Sequence, residues 1–129
     1  MIFVDTNYFL RLLLKDIDFQ YKAAKRLFER AVGGKITLFT SLIVMFEVYW
    51  VLASFYKKDK KQAVRIMEDM FSLNCFELRE SDLLRKSMEL CIKTSLGLED
   101  SYNLVYAINK KAEDFKTFDK KLEKAFRAQ

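Results

Sequence analysis

The chain opens on a short apolar run, residues 1–5, that ends in Asp5-Thr6-Asn7. β-rich residues followed by good capping residues predict a strand running directly into a helix, which should continue to Leu14. Over 19–31 apolar positions recur at Phe19, Ala23, Leu27 and Ala31, a helical spacing that Gly33-Gly34 terminates. Residues 36–39 read as a second strand. Residues 41–56 follow as a helix that is apolar almost all round and is therefore expected at the centre of the fold. The stretch 60–73 is amphipathic through Val64, Met67 and Phe71, and 75–78 reads as another strand. Two more helices are expected, over 81–96, stopped by Gly97, and over 99–112, burying Tyr102, Val105 and Ile108. A short strand at 115–118 and a terminal helix from Asp119 complete the pattern.

Short apolar strands alternating with helices predict an α/β fold with a short parallel sheet of about four strands and helices on both faces. No repeat, linker or low-complexity tract interrupts the pattern, so residues 1–129 read as a single domain. Sheets of this kind place ligands beyond the carboxyl ends of their strands. Polar residues that directly follow a strand are the first to consider.

Composition narrows the chemistry. Hydrophobic residues make up 51% of the 129, enough for a sizeable core and too many for a disordered chain. The net charge of +5 suits an anionic partner such as nucleic acid or an acidic protein. With no His, His-based acid–base chemistry, a His-containing triad and His-ligated zinc are excluded. Two cysteines, Cys75 and Cys91, build neither a four-thiolate metal site nor a disulfide framework. The stretch 36–56 carries one charge, Glu47, over a length of about one bilayer, but Gly33-Gly34 and Thr40-Ser41 break it into a strand and a shorter helix. No leader-like core is seen, and a cytoplasmic, non-membrane protein is expected.

Four acids stand out. Asp5 follows the first strand and Asp119 the last, so both should reach the carboxyl edge of the sheet; taken alone, an Asp after a strand is more often a helix cap. Glu47 has Ile43, Val44, Trp50 and Val51 as helical neighbours and no basic residue in its own helix. Such a carboxylate must protonate, find a cation or cost several kcal/mol. Asp100, with Glu99 beside it, lies in a first helical turn, where acids also complement the helix dipole. If the fold gathers these four, a divalent cation relieves their repulsion, and an all-oxygen donor set selects Mg²⁺ or Mn²⁺. Such an ion suits phosphodiester hydrolysis by activating water and stabilising charge on the phosphate.

The segments around these acids are Phe3-Val4-Asp5-Thr6-Asn7-Tyr8-Phe9-Leu10-Arg11, 41–52 around Glu47, Leu98-Glu99-Asp100-Ser101-Tyr102, and Thr117-Phe118-Asp119-Lys120-Lys121. In this order, and over nearly the whole chain, they resemble PIN-domain ribonucleases, most closely the VapC-type toxins of bacterial and archaeal toxin–antitoxin pairs. The resemblance implies a parallel α/β fold and a Mg²⁺- or Mn²⁺-dependent endoribonuclease. It also implies Asp5, Glu47, Asp100 and Asp119 as catalytic and metal-holding acids, Asn7 as an orienting polar residue, and Thr117 as the hydroxyl beside the last acid. Glu99 is close enough to replace or supplement Asp100. A homodimer and a cognate antitoxin partner that crosses the active-site groove are implied as well. Ser101-Tyr102 stand where the family usually has small or apolar residues, and the turn at 112–114 lacks the common Gly.

Arg11, four residues after Asn7, would share a helical face with it and contact substrate phosphates; its other reading is an exposed ion pair. Lys57-Lys58, Lys60-Lys61 and Lys120-Lys121 are basic clusters suited to a solvated face or to RNA. Tyr8 and Phe9 suit base stacking or core packing. Two rival functions remain: a haloacid-dehalogenase-like phosphatase with Asp5 as nucleophile, which needs an acid where Asn7 stands, and a non-catalytic RNA-binding or interaction module.

Overall fold

A computed structural model of the chain describes residues 1–55, 57 and 59–129. They group into two units, Met1–Arg79 and Glu80–Gln129. In the first, β1 (Ile2–Phe3) pairs in parallel with β2 (Leu38–Phe39), with Ile2 opposite Leu38 and Phe3 opposite Phe39. The crossover between them holds α1 (Thr6–Leu14) and α2 (Asp18–Val32), as a parallel pair requires. The α2 terminus needs its second glycine. Gly34 has φ +77°, while its N–H and that of Lys35 close the last turn onto Ala31 and Arg30 carbonyls at 3.0 Å each.

After β2 comes α3 (Leu42–Trp50), started by Ser41, whose Oγ accepts from the Val44 N–H. It passes into a π-helical segment, Val51–Phe55. The end of the expected 41–56 helix, Tyr56, and the second lysine of Lys57-Lys58 lie outside the described residues. α4 (Lys60–Ser72) begins with a reciprocal cap in which Asp59 accepts from the Gln62 N–H at 2.8 Å and Gln62 reaches back to the Asp59 N–H. The core of this unit centres on Phe9, which is fully buried between Phe28 and Phe76 at ring separations of 5.3 and 5.1 Å, and on Met45, Val48, Leu52 and Met67.

Two expectations for this unit change. The stretch 75–78 contributes a single parallel bridge, Glu77 to Phe39, rather than a full strand. Only one side of α3 is buried: Val44, Met45, Val48 and Tyr49 face inward, whereas Ile43 and Trp50 are 69% and 61% exposed. An apolar composition on every side concealed which side packs.

The second unit contains α5 (Ser81–Lys93), α6 (Leu98–Asn109) and α7 (Lys120–Arg127). Leu96, Leu104 and Leu122 form a buried cluster, covered by Leu90, Phe115, Ala125 and Phe126. α5 ends three residues earlier than expected, where the Thr94 hydroxyl turns back to donate to the Leu90 carbonyl, and Gly97 starts α6 instead of ending α5. Tyr102 is buried as expected, but Ile108 is exposed. Residues 115–118 form no strand: Phe115 packs on Phe126 and Phe118 is fully exposed. An apolar run extends into a strand only where a neighbour offers hydrogen bonds.

The protein is thus a mostly helical α/β fold with a short parallel sheet. Among the described residues no helix is long and apolar enough to cross a membrane.

Candidate active site

Asp5 occupies the turn between β1 and α1. It is the N-cap residue by position, yet its side chain accepts no capping hydrogen bond, and among the described residues the exposed carboxylate is left uncommitted. The next residue, Thr6, is buried and donates its hydroxyl to Glu47 Oε2 at 2.9 Å. This bond ties the start of α1 to the middle of α3. It brings Glu47 beside the residue that follows Asp5. A second hydroxyl fixes the strand end, Thr40 Oγ1 donating to the Val4 carbonyl at 2.8 Å within the interior.

Glu47 differs from expectation in its surroundings. It is exposed, because Ile43 and Trp50 beside it are exposed too, so no desolvation demands a cation. Among the described residues it joins no ion pair, and its partner is the Thr6 hydroxyl. Thr6 is the residue that sequence reasoning passed over: it lies inside the Asp-Thr-Asn turn, but its partner is 41 positions away. Asn7 is exposed in the first turn of α1. Arg11 is held: its Nη1 pairs with Asp16 at 3.1 Å and its Nε donates to Gln20 Oε1 at 2.6 Å. The ion-pair reading of Arg11 is therefore realised.

In the second unit Asp100 is half-buried in the first turn of α6, and Glu99 beside it is exposed. Ser101, fully buried, donates back to the Gly97 carbonyl at 2.8 Å. Tyr102 stacks on Tyr106, and its phenol is pushed up by burial, helped by the negative charge of Glu80 and by Tyr106. Asp119 caps α7, its Oδ1 accepting from the Lys121 and Leu122 N–H groups at 2.9 and 3.1 Å. Thr117 Oγ1 accepts from the Asp119 N–H at 3.1 Å, so the hydroxyl orients the cap. Asp114 is occupied differently. A hydrogen bond from Lys116 at 2.7 Å and another from the Phe115 N–H hold its carboxyl below the usual range. Lys60 is half-buried, whereas Lys61, Lys120 and Lys121 are exposed.

Within neither unit do three or more acids or cysteines group tightly enough to hold a metal, among the described residues. In the first unit Asp5 and Glu47 offer only carboxylate oxygen, the donor type of a hard ion, and Asp5 spends none of it on capping; both cysteines are buried. A family model described as PIN domain matches residues 2–127. No curated protein and no solved structure matches the chain.

Proposed function

From the premise that the chain belongs to the PIN-domain family, whose members are generally divalent-metal-dependent nucleases, we propose that it is an endoribonuclease and the toxin of a toxin–antitoxin pair. The reaction is hydrolysis of RNA phosphodiester bonds with Mg²⁺ or Mn²⁺. The observation that carries this reading is the pairing at the β1 edge, where an Asp that does not cap its helix is followed by a Thr that holds a second acid.

The acids that the family resemblance assigns to the metal are Asp5, Glu47, Asp100 and Asp119, with Glu99 as a supplementary acid. The ion, when bound, supplies an acidified water and stabilises charge on the phosphate and leaving oxygen. Thr6 is a positioning residue. By donating to Oε2 it fixes the Glu47 carboxylate and leaves Oε1 available. Asn7 contributes an amide near Asp5, and Thr117 orients Asp119. Arg11 is oriented by Asp16 and Gln20 and retains unspent donors for phosphate or base.

A cognate antitoxin and a homodimer belong to the same reading. Large exposed apolar side chains at Ile43, Trp50 and Phe55 support a protein partner.

The test is cleavage of structured RNA by highly pure protein with Mn²⁺ or Mg²⁺, alongside EDTA and the single variants Asp5→Asn and Asp100→Asn. Loss of cleavage with folding and RNA binding intact is expected. Activity surviving both substitutions rejects the site, and RNA binding without cleavage by the wild type favours a non-catalytic module. A small antitoxin-like reading frame beside the gene is expected for the toxin role.

A further inference from the structure

A cavity of about 260 Å³ opens between α1 and α2 within the first unit, lined by Asn7, Tyr8, Arg11, Phe19, Gln20 and Ala23. It begins two residues beyond Asp5. Its volume falls below the roughly 300–1,000 Å³ of pockets that take drug-sized ligands, which suits one planar ring system.

The lining is unusual for a surface dent. Phe19 is 82% exposed and Tyr8 is 43% exposed, although nothing about helix formation calls for large rings at such positions. Two aromatic faces at a cavity that size are what a splayed base stacks on. The polar side is pre-set. Arg11 Nε has no choice but to donate, so the Gln20 amide must turn its Oε1 toward it, as the 2.6 Å contact shows. Gln20 Nε2 is then a donor with a fixed direction. Arg11 is itself anchored, Nη1 bridging both oxygens of Asp16 at 3.1 and 3.2 Å, and among the described residues its Nη2 group is a second unspent donor. The Arg11–Gln20 pair thus presents its unspent groups as donors, while its one acceptor atom, Gln20 Oε1, already takes the Arg11 Nε–H. Guanine presents two adjacent acceptors, N7 and O6, whereas adenine presents one acceptor and one donor along the same edge.

We propose that this cavity is a base-recognition subsite for the RNA substrate. It holds one nucleobase against Tyr8 and Phe19 and favours guanine through Gln20 and Arg11. The proposal rests on the ribonuclease reading for its substrate class and adds what that reading lacks, a source of sequence preference. The uncommitted carboxylate of Asp5 lies two residues from the cavity wall, so the held base belongs to a nucleotide close to the bond that is cut.

The experiment measures binding of short single-stranded RNAs to the full chain by fluorescence anisotropy in EDTA, where cleavage does not interfere. Otherwise identical oligonucleotides carry one guanine, one adenine or one abasic position in a uridine background. Wild type is expected to favour the guanine oligonucleotide over the adenine one. Phe19→Ala should weaken guanine binding by about 5- to 150-fold, the range for one lost base stack, while leaving the abasic oligonucleotide unchanged. Gln20→Leu should erase the guanine-over-adenine ratio and keep most of the stacking. Phe19 and Gln20 are exposed, so both variants should fold, as circular dichroism would verify.

Equal affinity for all three oligonucleotides, or guanine binding unchanged in Phe19→Ala, overturns the subsite. Cleavage of longer RNA with Mn²⁺ is scored separately. Cleavage whose rate and cut sites are identical in wild type, Phe19→Ala and Gln20→Leu keeps the nuclease and discards the subsite. Guanine-selective binding with no cleavage does the reverse.

Discussion

Asp119 caps α7 and is also one of the acids proposed to hold the metal, and substitution can separate the two roles. Its Oδ1 accepts from two backbone N–H groups at the start of α7, and its charge faces the positive end of the helix dipole. An N-cap side chain contributes about 0.5–2 kcal/mol, typically near 1, and an acid at a helix N-terminus about 0.3–1 kcal/mol. Asp119→Ala removes both and should cost about 1–2 kcal/mol. Asp119→Asn keeps an amide oxygen that caps as well as a carboxylate, so its cost is confined to the dipole contribution, below about 1 kcal/mol. With an unfolding entropy of about 2.1 cal/mol/K per residue over 129 residues, the Ala variant should melt roughly 4–7 °C below wild type and the Asn variant less than about 4 °C below. Both are measured by thermal unfolding followed at 222 nm, with Mn²⁺-dependent RNA cleavage assayed in parallel. If Asp119 also holds the metal, Asp119→Asn loses at least about tenfold in activity while remaining nearly as stable as wild type. An Ala variant as stable as wild type refutes the capping argument. A fully active Asn variant removes Asp119 from the proposed acids.

Thr6→Val deletes the hydroxyl that holds Glu47. Cleavage should fall about 10- to 100-fold for a stability change of only about 0.5–1.5 kcal/mol, and unchanged kinetics would end the positioning role. Phe9→Ala, at a fully buried ring between two others, should cost about 3–5 kcal/mol in urea unfolding; a loss under about 1 kcal/mol would contradict the assigned core. The exposed Asp114–Lys116 pair predicts a pH window. The Asp114 carboxyl is lowered by Lys116, so its contribution is present above about pH 4 and fades as pH falls through the folded value. Lys116 is raised by Asp114, so the same contribution fades as pH rises above about 10. The stability difference between wild type and Lys116→Ala should therefore be confined to that interval and shrink at 1 M salt. A difference persisting at pH 2 would refute the pairing.

Where side-chain period alone decides an element, the chain was readable. α1, α2 and α4 lie within two residues of their expected limits because their apolar positions recur at helical spacing, with Gly33-Gly34 ending α2 and the Asp59–Gln62 cap starting α4. Strands were harder, since 75–78 and 115–118 have strand-like composition but their state depends on partners remote in sequence. Glu47 stands out in the sequence for a reason the structure does not support. The apolar neighbours that suggested burial include Ile43 and Trp50, which face solvent. Asp119 was legible both as an acid and as a cap, and its cap is realised. The Thr6–Glu47 bond and the Arg11–Gln20 pair were not legible, because each joins residues whose proximity is created by helix packing. Their signal exists only as a polar residue one place beyond a turn or one helix away.

The hydroxyl of Thr40 has a consequence for how this scaffold can vary. Where the β1–β2 ladder stops, the Val4 carbonyl is satisfied by a side chain instead of another rung of main chain. The bend that delivers Asp5 is thereby latched by one rotatable C–O bond. Serine preserves the latch; valine, nearly isosteric, leaves a buried oxygen stranded. Substitution at an inconspicuous interior threonine would thus propagate to the acid one residue beyond Val4 without touching it.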